Sequence, residues 1–494
     1  MLRFTFFLFI LLFIAVSFEQ TFQSWRGETA PRIHRLTTTA EQSLSLNPML
    51  SDDGSVVAFE STADLESSGS KGSFRLFQGN LNLETNTFEA IGETRAVSPG
   101  LSADGKLIVF ASTEDLLSEN PDRNSEIYLF DGSRLHQLTH TAPDSELTRL
   151  SDGNFEPSIS ADGSRIAYLS NRKLVGSSTI EVFLCDRALT KTTQITNGGA
   201  VHARLSGDGG WIYFVRAESE GSDLLLFDVE NGKANIAAED VSSLSLTSGR
   251  AVSNDGSRIV YSASTGTNQT QVFLFDSRAK ESRQLTVLGT RSSEVELNPT
   301  ISGDGKRVAF STRRKVTNSS DGSVELYVLD LPTGEVQQVT NAPTSATSEI
   351  VSSLNRDGSL IAFSFPRVLS GVVNDASFSN NSEIYIASLD SRPEFGNATV
   401  SNAAKESNVV APDSLAVIRG TQLAFKSEQA IPIEGVLPFS IQGVSVQVEG
   451  KFARLVYTSP DQIVFVVPSS IGDGPTEFVV TNSEGFLSKA QGTI

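Results

Sequence analysis

The chain has 494 residues, of which 58 are acidic and 39 are Lys or Arg, giving a formal net charge of −19. Because a single core stops growing at roughly 250–300 residues, this length predicts one large repeat domain and a smaller second domain. The acidic balance excludes nucleic acid as a favoured partner, since affinity for phosphate backbones depends on Lys and Arg. Cys185 is the only cysteine, which excludes an intramolecular disulfide and predicts a buried structural thiol.

The N-terminus has the pattern of a secretory signal peptide. Met1-Leu2-Arg3 supplies a charged start, the run from Phe4 to Phe18 has no charge, and Ala15-Val16-Ser17 offers small residues for cleavage. The run is short for a membrane span, which needs roughly 20 residues. Residues 1–17 are therefore predicted to be a signal peptide, with an uncleaved anchor as the alternative. We expect a periplasmic or extracellular protein without a membrane span after cleavage.

A Ser-x-Asp-Gly pattern, once with Asn for Ser, recurs at seven positions about 50 residues apart and at each of them precedes an apolar, strand-like run. The Asp carboxylate can accept hydrogen bonds from the turn backbone, and Gly adopts the positive φ that a tight hairpin requires. Seven copies therefore predict seven strand-turn-strand units. The predicted turn residues are Asp53 and Gly54, Asp104 and Gly105, Asp162 and Gly163, Asp208 and Gly209, Asp255 and Gly256, Asp304 and Gly305, and Asp357 and Gly358.

Two more strands follow the hairpin in most units. The third resembles Glu126-Ile127-Tyr128-Leu129-Phe130, and the fourth ends in a Leu/Ile/Val-Thr pair such as Leu138-Thr139. Four antiparallel strands in about 50 residues are typical of a propeller blade. The last unit lacks a convincing Leu-Thr strand, whereas residues 32–37 form one that stands alone before the first unit. We predict that this segment supplies the outer strand of the last blade and so removes a free sheet edge.

The repeats resemble those of TolB-like propellers, also described as PD40 or WD40-like repeats. That family has a Ser-Pro-Asp-Gly turn, an apolar strand, an Ile-Tyr strand and a Leu-Thr strand. The resemblance covers about residues 32–393, although Asp, Ala, Gly, Asn or Arg replaces the family's Pro. It implies an all-β fold with a seven-bladed β-propeller and a role near the cell envelope.

In such a propeller the Asp-Gly hairpins share one face, and the longer connections share the opposite face. Those connections include residues 113–125, 141–155, 312–323 and 365–382. Binding residues tend to lie on loops of rigid scaffolds, so this loop face is the candidate site. The alternative is that the loops are long without binding anything.

One of these loops has the spacing of a calcium site. Asn120, Asp122, Asn124 and Glu126 follow one another at every second position, and oxygen ligands so spaced can wrap a calcium ion. Asn318, Asp321 and Glu325 repeat the pattern loosely. No Gly marks the sharp bend, so solvated turn residues are the alternative. Apart from this calcium hypothesis, the sequence predicts no cofactor.

Motifs of enzymes are absent from the sequence. His34, His136, His140 and His202 are scattered without zinc-ligand spacing, and neither a G-x-S-x-G elbow nor a Gly-rich phosphate loop occurs. Carboxylate pairs occur in every unit, but spacing alone does not define a catalytic dyad.

The composition changes after Asp390. The polar residues 394–408 are predicted to be a linker, and residues 409–494 contain short alternating strands typical of a small sandwich. Blocks such as Val410-Ala411-Pro412-Asp413 and Tyr457-Thr458-Ser459-Pro460-Asp461-Gln462 resemble the Ig-like, IPT/TIG-related C-terminal domain first described from Solibacter. The resemblance implies an exported modular protein, and the family continues beyond the point equivalent to Ile494, so an incomplete domain is expected.

Three functions remain open at this stage. The first is a non-enzymatic protein whose loop face docks a protein or glycan of the cell envelope. The second is a hydrolase or lyase acting on polysaccharide or peptide with carboxylates in the central channel, and the third is a structural spacer. Inward-facing Asp, His and Arg clustered in the channel would favour the enzyme, whereas polar but unclustered residues would favour binding.

Overall fold

The computed structural model describes residues 32–494 with internal gaps, and every regular element within that part of the chain is a β-strand. In the same part, no helix is long and apolar enough to cross a membrane. The predicted signal peptide, residues 1–17, lies outside the described residues. The gaps are residues 38, 40–42, 67–68, 82–86, 95–98, 144–152, 172–178, 189–190, 219–220, 266–268, 289–296, 314–315, 317–323, 341–349, 367–381, 390–395, 406, 422, 425–426, 433–434, 442–443 and 482–486.

The repeat region forms seven small antiparallel sheets, six of them built from consecutive strands of one unit and the seventh completed by β1. The first four are β2 (Ser45–Leu50), β3 (Val56–Asp64), β4 (Gly69–Asn80) and β5 (Phe88–Glu93); β6 (Gly100–Leu101), β7 (Ile108–Ser112), β8 (Glu126–Phe130) and β9 (Leu135–Gln137); β10 (Asn154–Ile159), β11 (Arg165–Ser170), β12 (Glu181–Asp186) and β13 (Thr192–Gln194); and β14 (His202–Leu205), β15 (Trp211–Ala217), β16 (Ser222–Asp228) and β17 (Lys233–Val241). The other three are β18 (Arg258–Ser264), β19 (Thr270–Asp276) and β20 (Glu281–Gln284); β21 (Thr300–Ile301), β22 (Arg307–Thr312), β23 (Glu325–Asp330) and β24 (Val336–Gln338); and β25 (Ser352–Leu354), β26 (Leu360–Pro366), β27 (Ser382–Ser388) and β1 (Arg32–Arg35).

The seventh sheet combines both ends of the repeat region. β1 pairs antiparallel with β27, with Arg32 opposite Ser388 and Arg35 opposite Tyr385. The segment predicted to close the ring therefore lies on the outer edge of the last sheet, beyond β25, β26 and β27. This pairing satisfies the backbone groups on one side of β27, which would otherwise be an exposed sheet edge.

The turns after the first strands form a closed series of backbone hydrogen bonds. Each turn donates an N–H to a carbonyl of the turn in the next sheet, and the seventh turn donates back to the first. The sheets are therefore arranged in a ring, with these turns at its centre. The donor and acceptor residues are Asp52 and Ala103, Ala103 and Ala161, Ala161 and Gly207, Asp208 and Asn254, Asn254 and Gly303, Asp304 and Arg356, and Arg356 and Asp52, at distances of 2.7 to 2.9 Å.

The hydrophobic core of this region lies between neighbouring sheets. One cluster joins residues of the second and third sheets, including Ile127 and Phe183, and another joins the seventh and first, including Ile384 and Phe77. Within six sheets an aromatic residue of the second strand stacks on one of the third, as Phe110 does on Tyr128 at 5.7 Å. These buried pairs explain why aromatic residues recur in both strands of the repeat.

The C-terminal part forms two sheets around a core of its own, which includes Phe465 and Phe478. The predicted linker, residues 394–408, is not a linker throughout, because it contains two strands and Val400 packs into this core with 3% of its surface exposed. One sheet has the order β28 (Gly396–Asn397), β38 (Leu487–Thr493), β37 (Pro475–Thr481), β33 (Val444–Val448) and β32 (Ser440–Ile441), with β34 (Lys451–Phe452) on β33; the other has the order β29 (Thr399–Asn402), β30 (Leu415–Arg419), β36 (Gln462–Val466), β35 (Arg454–Thr458) and β31 (Glu428–Gln429).

Candidate functional site

The repeated turn is held by its own side chains. In the first sheet, Ser51 Oγ donates to Asp53 Oδ1 at 2.7 Å and accepts from the Val56 N–H at 2.9 Å, while the Ser55 N–H donates to Asp53 Oδ1 at 2.9 Å. These hydrogen bonds, the one from the Ser55 backbone first, lower the pKa of the Asp53 carboxyl. All seven predicted turn glycines have φ between 66° and 73°, the region that other residues rarely adopt.

The second residue of each turn takes part in these backbone hydrogen bonds between turns, and four of the seven residues are Ala or Gly. Two of the larger ones meet across the ring. Asn254 of the fifth sheet donates from Nδ2 to Asp52 Oδ2 of the first sheet at 2.5 Å, and Arg250 Nη1 lies 2.8 Å from Asp52 Oδ1. A polar contact therefore spans the turn end of the central channel.

A cavity of about 70 Å³ lies beside this contact. Asp52, Arg250 and Asn254 line one part of it and Arg204 another, while Ala103, Ala161 and Gly207 are among the small residues that complete the wall. A space of this size holds a few water molecules.

A second charged cluster joins the first strands of the third and fourth sheets. Glu156 Oε2 accepts from Arg204 Nη1 at 2.7 Å, and Glu156 Oε1 lies 3.1 Å from His202 Nδ1. Glu156 has a φ of 46° where the register of β10 shifts, so its side chain leaves the ladder and reaches the neighbouring sheet. Burial raises the pKa of the Glu156 carboxyl, but the Arg204 charge and the His202 hydrogen bond outweigh burial and lower it to about 2.

Clustered acidic, His and Arg residues would favour an enzyme, but the sequence could not locate them. Glu156, His202 and Arg204 form such a cluster. Its carboxylate is ionised at neutral pH and already accepts hydrogen bonds from both neighbours, so it has no proton to donate as a general acid. Arg204 is also fully engaged, because its Nε and Nη2 donate to the Thr247 carbonyl at 2.9 and 2.6 Å. The cluster binds two sheets together as it stands.

Comparisons with known proteins bear on the ring. No family model matches the chain. A protein TolB homolog from Chlorobium chlorochromatii (strain CaD3) is 25% identical over 229 residues, which cover 46% of this chain and 46% of that protein. The chain thus spans about half the length of the curated relative it matches.

Solved structures share the architecture at low identity. An oligogalacturonate lyase in complex with manganese aligns with a TM-score of 0.50 at 15% identity, covering 74% of this chain and 94% of that one. The oligogalacturonate lyase from Vibrio parahaemolyticus aligns with a TM-score of 0.50 at 14% identity, covering 72% and 93%. These likenesses show the fold alone. Together with the TolB homologue, they support a TolB-like β-propeller.

The predicted calcium residues of this propeller mostly contact one another through hydrogen bonds. Asn120 Nδ2 donates to the Asn124 carbonyl at 3.0 Å, and Asn124 Nδ2 donates to Glu126 Oε1 at 3.1 Å, whereas Asp122 is partly exposed. Amide groups thus turn their nitrogen atoms, not their oxygens, towards Glu126. Among the described residues, no group of three or more His, Cys, Asp or Glu side chains is placed to hold a metal ion. Asn318 and Asp321 of the looser repeat lie outside the described residues.

Glu126 belongs to a repeated contact that the sequence reading missed. Thr139, the Thr of the Leu-Thr strand, donates to the Glu126 carboxylate and accepts from the Ile127 N–H at 2.8 Å. The signal was present as an acidic or amide residue at the start of the third strand, followed 13 to 15 positions later by Thr. Equivalent pairs are Thr196 and Glu181, Thr286 and Gln271, Thr340 and Glu325, and, between β27 and the segment after β1, Thr37 and Glu383.

The remaining predicted residues are dispersed. His136 lies 2.9 Å from Asp131 and His140 lies 3.9 Å from Glu119, both at exposed positions. Cys185 is 2% exposed, and burial raises the pKa of its thiol to about 12. Of the four long loops, only residues 113–125 are described throughout.

Proposed function

We propose that this protein is an exported binding or scaffold protein of the cell envelope, and that the loop end of its propeller docks a protein or glycan. The proposal includes seven blades, an Ig-like C-terminal domain, and a periplasmic or extracellular location directed by residues 1–17. The TolB-like fold supports a binding or scaffold role, and the resemblance to TolB supports the location.

The closed series of turn hydrogen bonds supports a ring of seven blades. Seven hydrophobic clusters, each shared by two neighbouring sheets and one of them joining the seventh to the first, support the same count. The Ig-like assignment is supported by two sheets that pack around one core.

The observation that carries the docking proposal is a charged loop held on a rigid ring. At the turn end, every turn is tied to its neighbours by backbone hydrogen bonds. The loop between β7 and β8 has Glu119 and Arg123 about half exposed, with Arg123 Nη1 2.7 Å from Glu114 Oε2. A rigid frame that displays charged loops is suited to binding a macromolecule.

Affinity capture from envelope extracts tests this proposal. The mature protein is immobilised and retained proteins and glycans are identified, with and without calcium because of the hypothesis for Asn120, Asp122, Asn124 and Glu126. The double variant Glu119→Ala and Arg123→Ala should lose the retained partner, whereas Lys106→Ala at the turn end should keep it. Retention of no partner under either condition, or equal retention by the loop variant, would overturn the docking proposal.

A lyase or hydrolase is the second candidate, favoured by the grouping of His202 with Glu156 and Arg204, in which His202 would act as the acid or base because the other two are held by hydrogen bonds. An assay for chain cleavage of uronate polymers and of peptides, comparing the wild type with His202→Ala, tests it. Activity that His202→Ala abolishes would establish an enzyme. Absence of both cleavage and a captured partner would leave the structural spacer.

A further inference from the structure

Arg250 is the arginine of the channel whose hydrogen bonding is incomplete. Its side chain is 12% exposed. Nη1 donates to Asp52 Oδ1 at 2.8 Å and more weakly to Asn254 Oδ1 at 3.4 Å. Among the described residues, its Nε and Nη2 groups donate no hydrogen bond, and neither atom is a fully buried one, so this edge of the guanidinium is open to solvent. A guanidinium has five donors, and in nearly buried positions such donors are normally satisfied by protein, water or an anion.

Arg204, which lines the same cavity, donates hydrogen bonds from all three nitrogen atoms of its guanidinium. Its Nη1 donates to Glu156 and to the Ala203 carbonyl, and its Nε and Nη2 donate to the Thr247 carbonyl. The two arginines share the cavity wall, so the difference between them comes from local contacts. Only Arg250 leaves an Nε and Nη2 edge for a further acceptor.

The free edge has the geometry that a carboxylate requires. The Nε and Nη2 groups of a guanidinium donate two parallel hydrogen bonds, which matches the two oxygens of a carboxylate. Asp52 holds the guanidinium by Nη1, and Asn254 in turn donates to Asp52 at 2.5 Å. Asp52 therefore positions Arg250 without occupying the Nε and Nη2 edge.

The cavity has room for a carboxylate. Its volume of about 70 Å³, partly open to solvent, accommodates a carboxylate group and a few water molecules. Ala103, Ala161 and Gly207 line the cavity at the turn end. Their small side chains leave room for the rest of the ligand to extend towards the turn face.

We infer that the turn end of the channel is a second binding site, distinct from the loop face, which takes one carboxylate group of a ligand on Nε and Nη2 of Arg250. The ligand class is a slim carboxylate such as a peptide C-terminus or a uronate sugar. Its recognition depends on Arg250, with Asp52 as a positioning residue. This site does not depend on whether the loop face docks a partner.

Titration calorimetry with matched probe pairs tests the inference on the full chain. Triglycine is compared with triglycine amide, and galacturonate with galactose, which separates the two sources of the carboxylate. At least one carboxylate probe should bind ten times more tightly than its neutral counterpart. Equal binding within both pairs would overturn the inference.

Variants then assign the site to Arg250. Arg250→Lys keeps the charge that pairs with Asp52 but lacks the planar edge, so carboxylate affinity should fall at least tenfold. Asp52→Asn keeps an oxygen that can accept from Arg250 Nη1, so the guanidinium stays in position, but it removes the neighbouring negative charge and should therefore raise affinity. Arg356→Gln is the control, because Arg356 is exposed at the same end and does not line the cavity.

Both channel variants are checked for cooperative thermal unfolding before titration. Unchanged affinity in a folded Arg250→Lys protein, or equal loss in Arg356→Gln, would overturn the assignment. The opposite direction expected for Asp52→Asn distinguishes carboxylate binding from general damage to the ring. Capture on the loop face is measured separately, so either proposal can fail alone.

Discussion

At the scale of single residues, three positions before proline share an unusual backbone conformation. Asn47, Glu156 and Asn298 have φ of 54°, 46° and 41°, and each precedes a proline near the start of a first strand. Such φ values cost free energy for residues other than glycine, and the surrounding structure must hold them. In β2 and β10 the register shifts at this point, which directs Asn47 to Glu60 and Glu156 to Arg204. The bulge therefore forms polar contacts outside the regular strand pairing, within the same sheet for Asn47 and between two sheets for Glu156.

The Glu156 cluster should make stability depend on pH. The pKa of this carboxyl is lowered from an ordinary 4.5 to about 2 in the folded chain. Since the unfolded chain binds the proton more readily, the stabilisation is complete above 4.5 and is lost as the pH falls towards about 2. The free energy of unfolding of the wild type minus that of Glu156→Gln should decrease across this window, by on the order of 2 kcal/mol. Denaturant titrations measure it, with Glu230→Gln at an exposed position as the control; a difference that does not change with pH would contradict the assignment.

The turn glycines are required for a second reason besides their φ. A Cβ at Gly105 would lie 2.6 Å from Val56 Cβ in the neighbouring sheet, whereas a Cβ at Gly334 would meet nothing within 4 Å. The two φ values are 71° and 73°, so Ala causes similar backbone strain of about 1–2 kcal/mol at both. Overpacking against Val56 should lower the free energy of unfolding of Gly105→Ala by about a further 1–3 kcal/mol. Equal destabilisation of the two variants in denaturant titrations would show that conformation alone selects glycine.

At the scale of elements, the contact between Thr and Glu determines how the fourth strand attaches to the third. In the seventh sheet, Thr37 Oγ1 donates to Glu383 Oε2 at 2.6 Å and accepts from the Ile384 N–H at 2.9 Å, and the Thr39 N–H donates to Glu383 Oε1 at 2.9 Å. Glu383 is fully buried, so its carboxyl oxygens need these hydrogen-bond donors. The segment that follows β1 is thus anchored by a buried carboxylate from the other end of the repeat region.

Replacing Thr37 by Val should loosen this anchor. The change removes the acceptor of the Ile384 N–H and one donor to the Glu383 carboxylate, which should cost about 1–3 kcal/mol. Thr139→Val removes the same contact within the second sheet and should cost a similar amount. Only Thr37→Val should speed amide hydrogen exchange in β27. β1 comes from the other end of the repeat region and is held by its pairing in the seventh sheet, whereas β9 of the second sheet follows its partner β8 directly in sequence. Equal exchange of β27 in both variants would contradict this role.

Sequence predicted the elements that depend on local pattern. The Asp-Gly turns follow from the positive φ of glycine, and the strands beside them follow from the alternation of apolar and polar residues. The Asp52 contact with Arg250 was not predictable, because its partners lie in different units and only the ring brings them together. The prediction of a linker at residues 394–408 was wrong, because β29 has Val400 as its one buried apolar side chain among polar neighbours. One apolar residue is too short a pattern to predict a strand. The direction of the Asn124 amide, which decides what Glu126 accepts, is likewise set by tertiary contacts.

At the scale of the whole molecule, stability is distributed over interfaces that repeat around the ring. Each hydrophobic cluster of the repeat region is shared by two neighbouring sheets, so a sheet cannot be buried without its neighbours. The C-terminal sheets enclose a different cluster, to which no residue of the ring sheets contributes within the described chain. Two cores without shared residues should unfold as separate cooperative units.

Calorimetry should therefore record two unfolding transitions, and matched core variants should assign them. Phe310 and Phe465 are both buried, with 1% and 0% of their surfaces exposed, and lie in the ring and in the C-terminal core. Replacing a buried Phe by Ala costs about 3–5 kcal/mol. Phe310→Ala should lower the midpoint of one transition and Phe465→Ala that of the other, because neither core gains or loses contacts when the other is altered. A single transition, or a shift of both midpoints by one variant, would show that the two cores are energetically coupled.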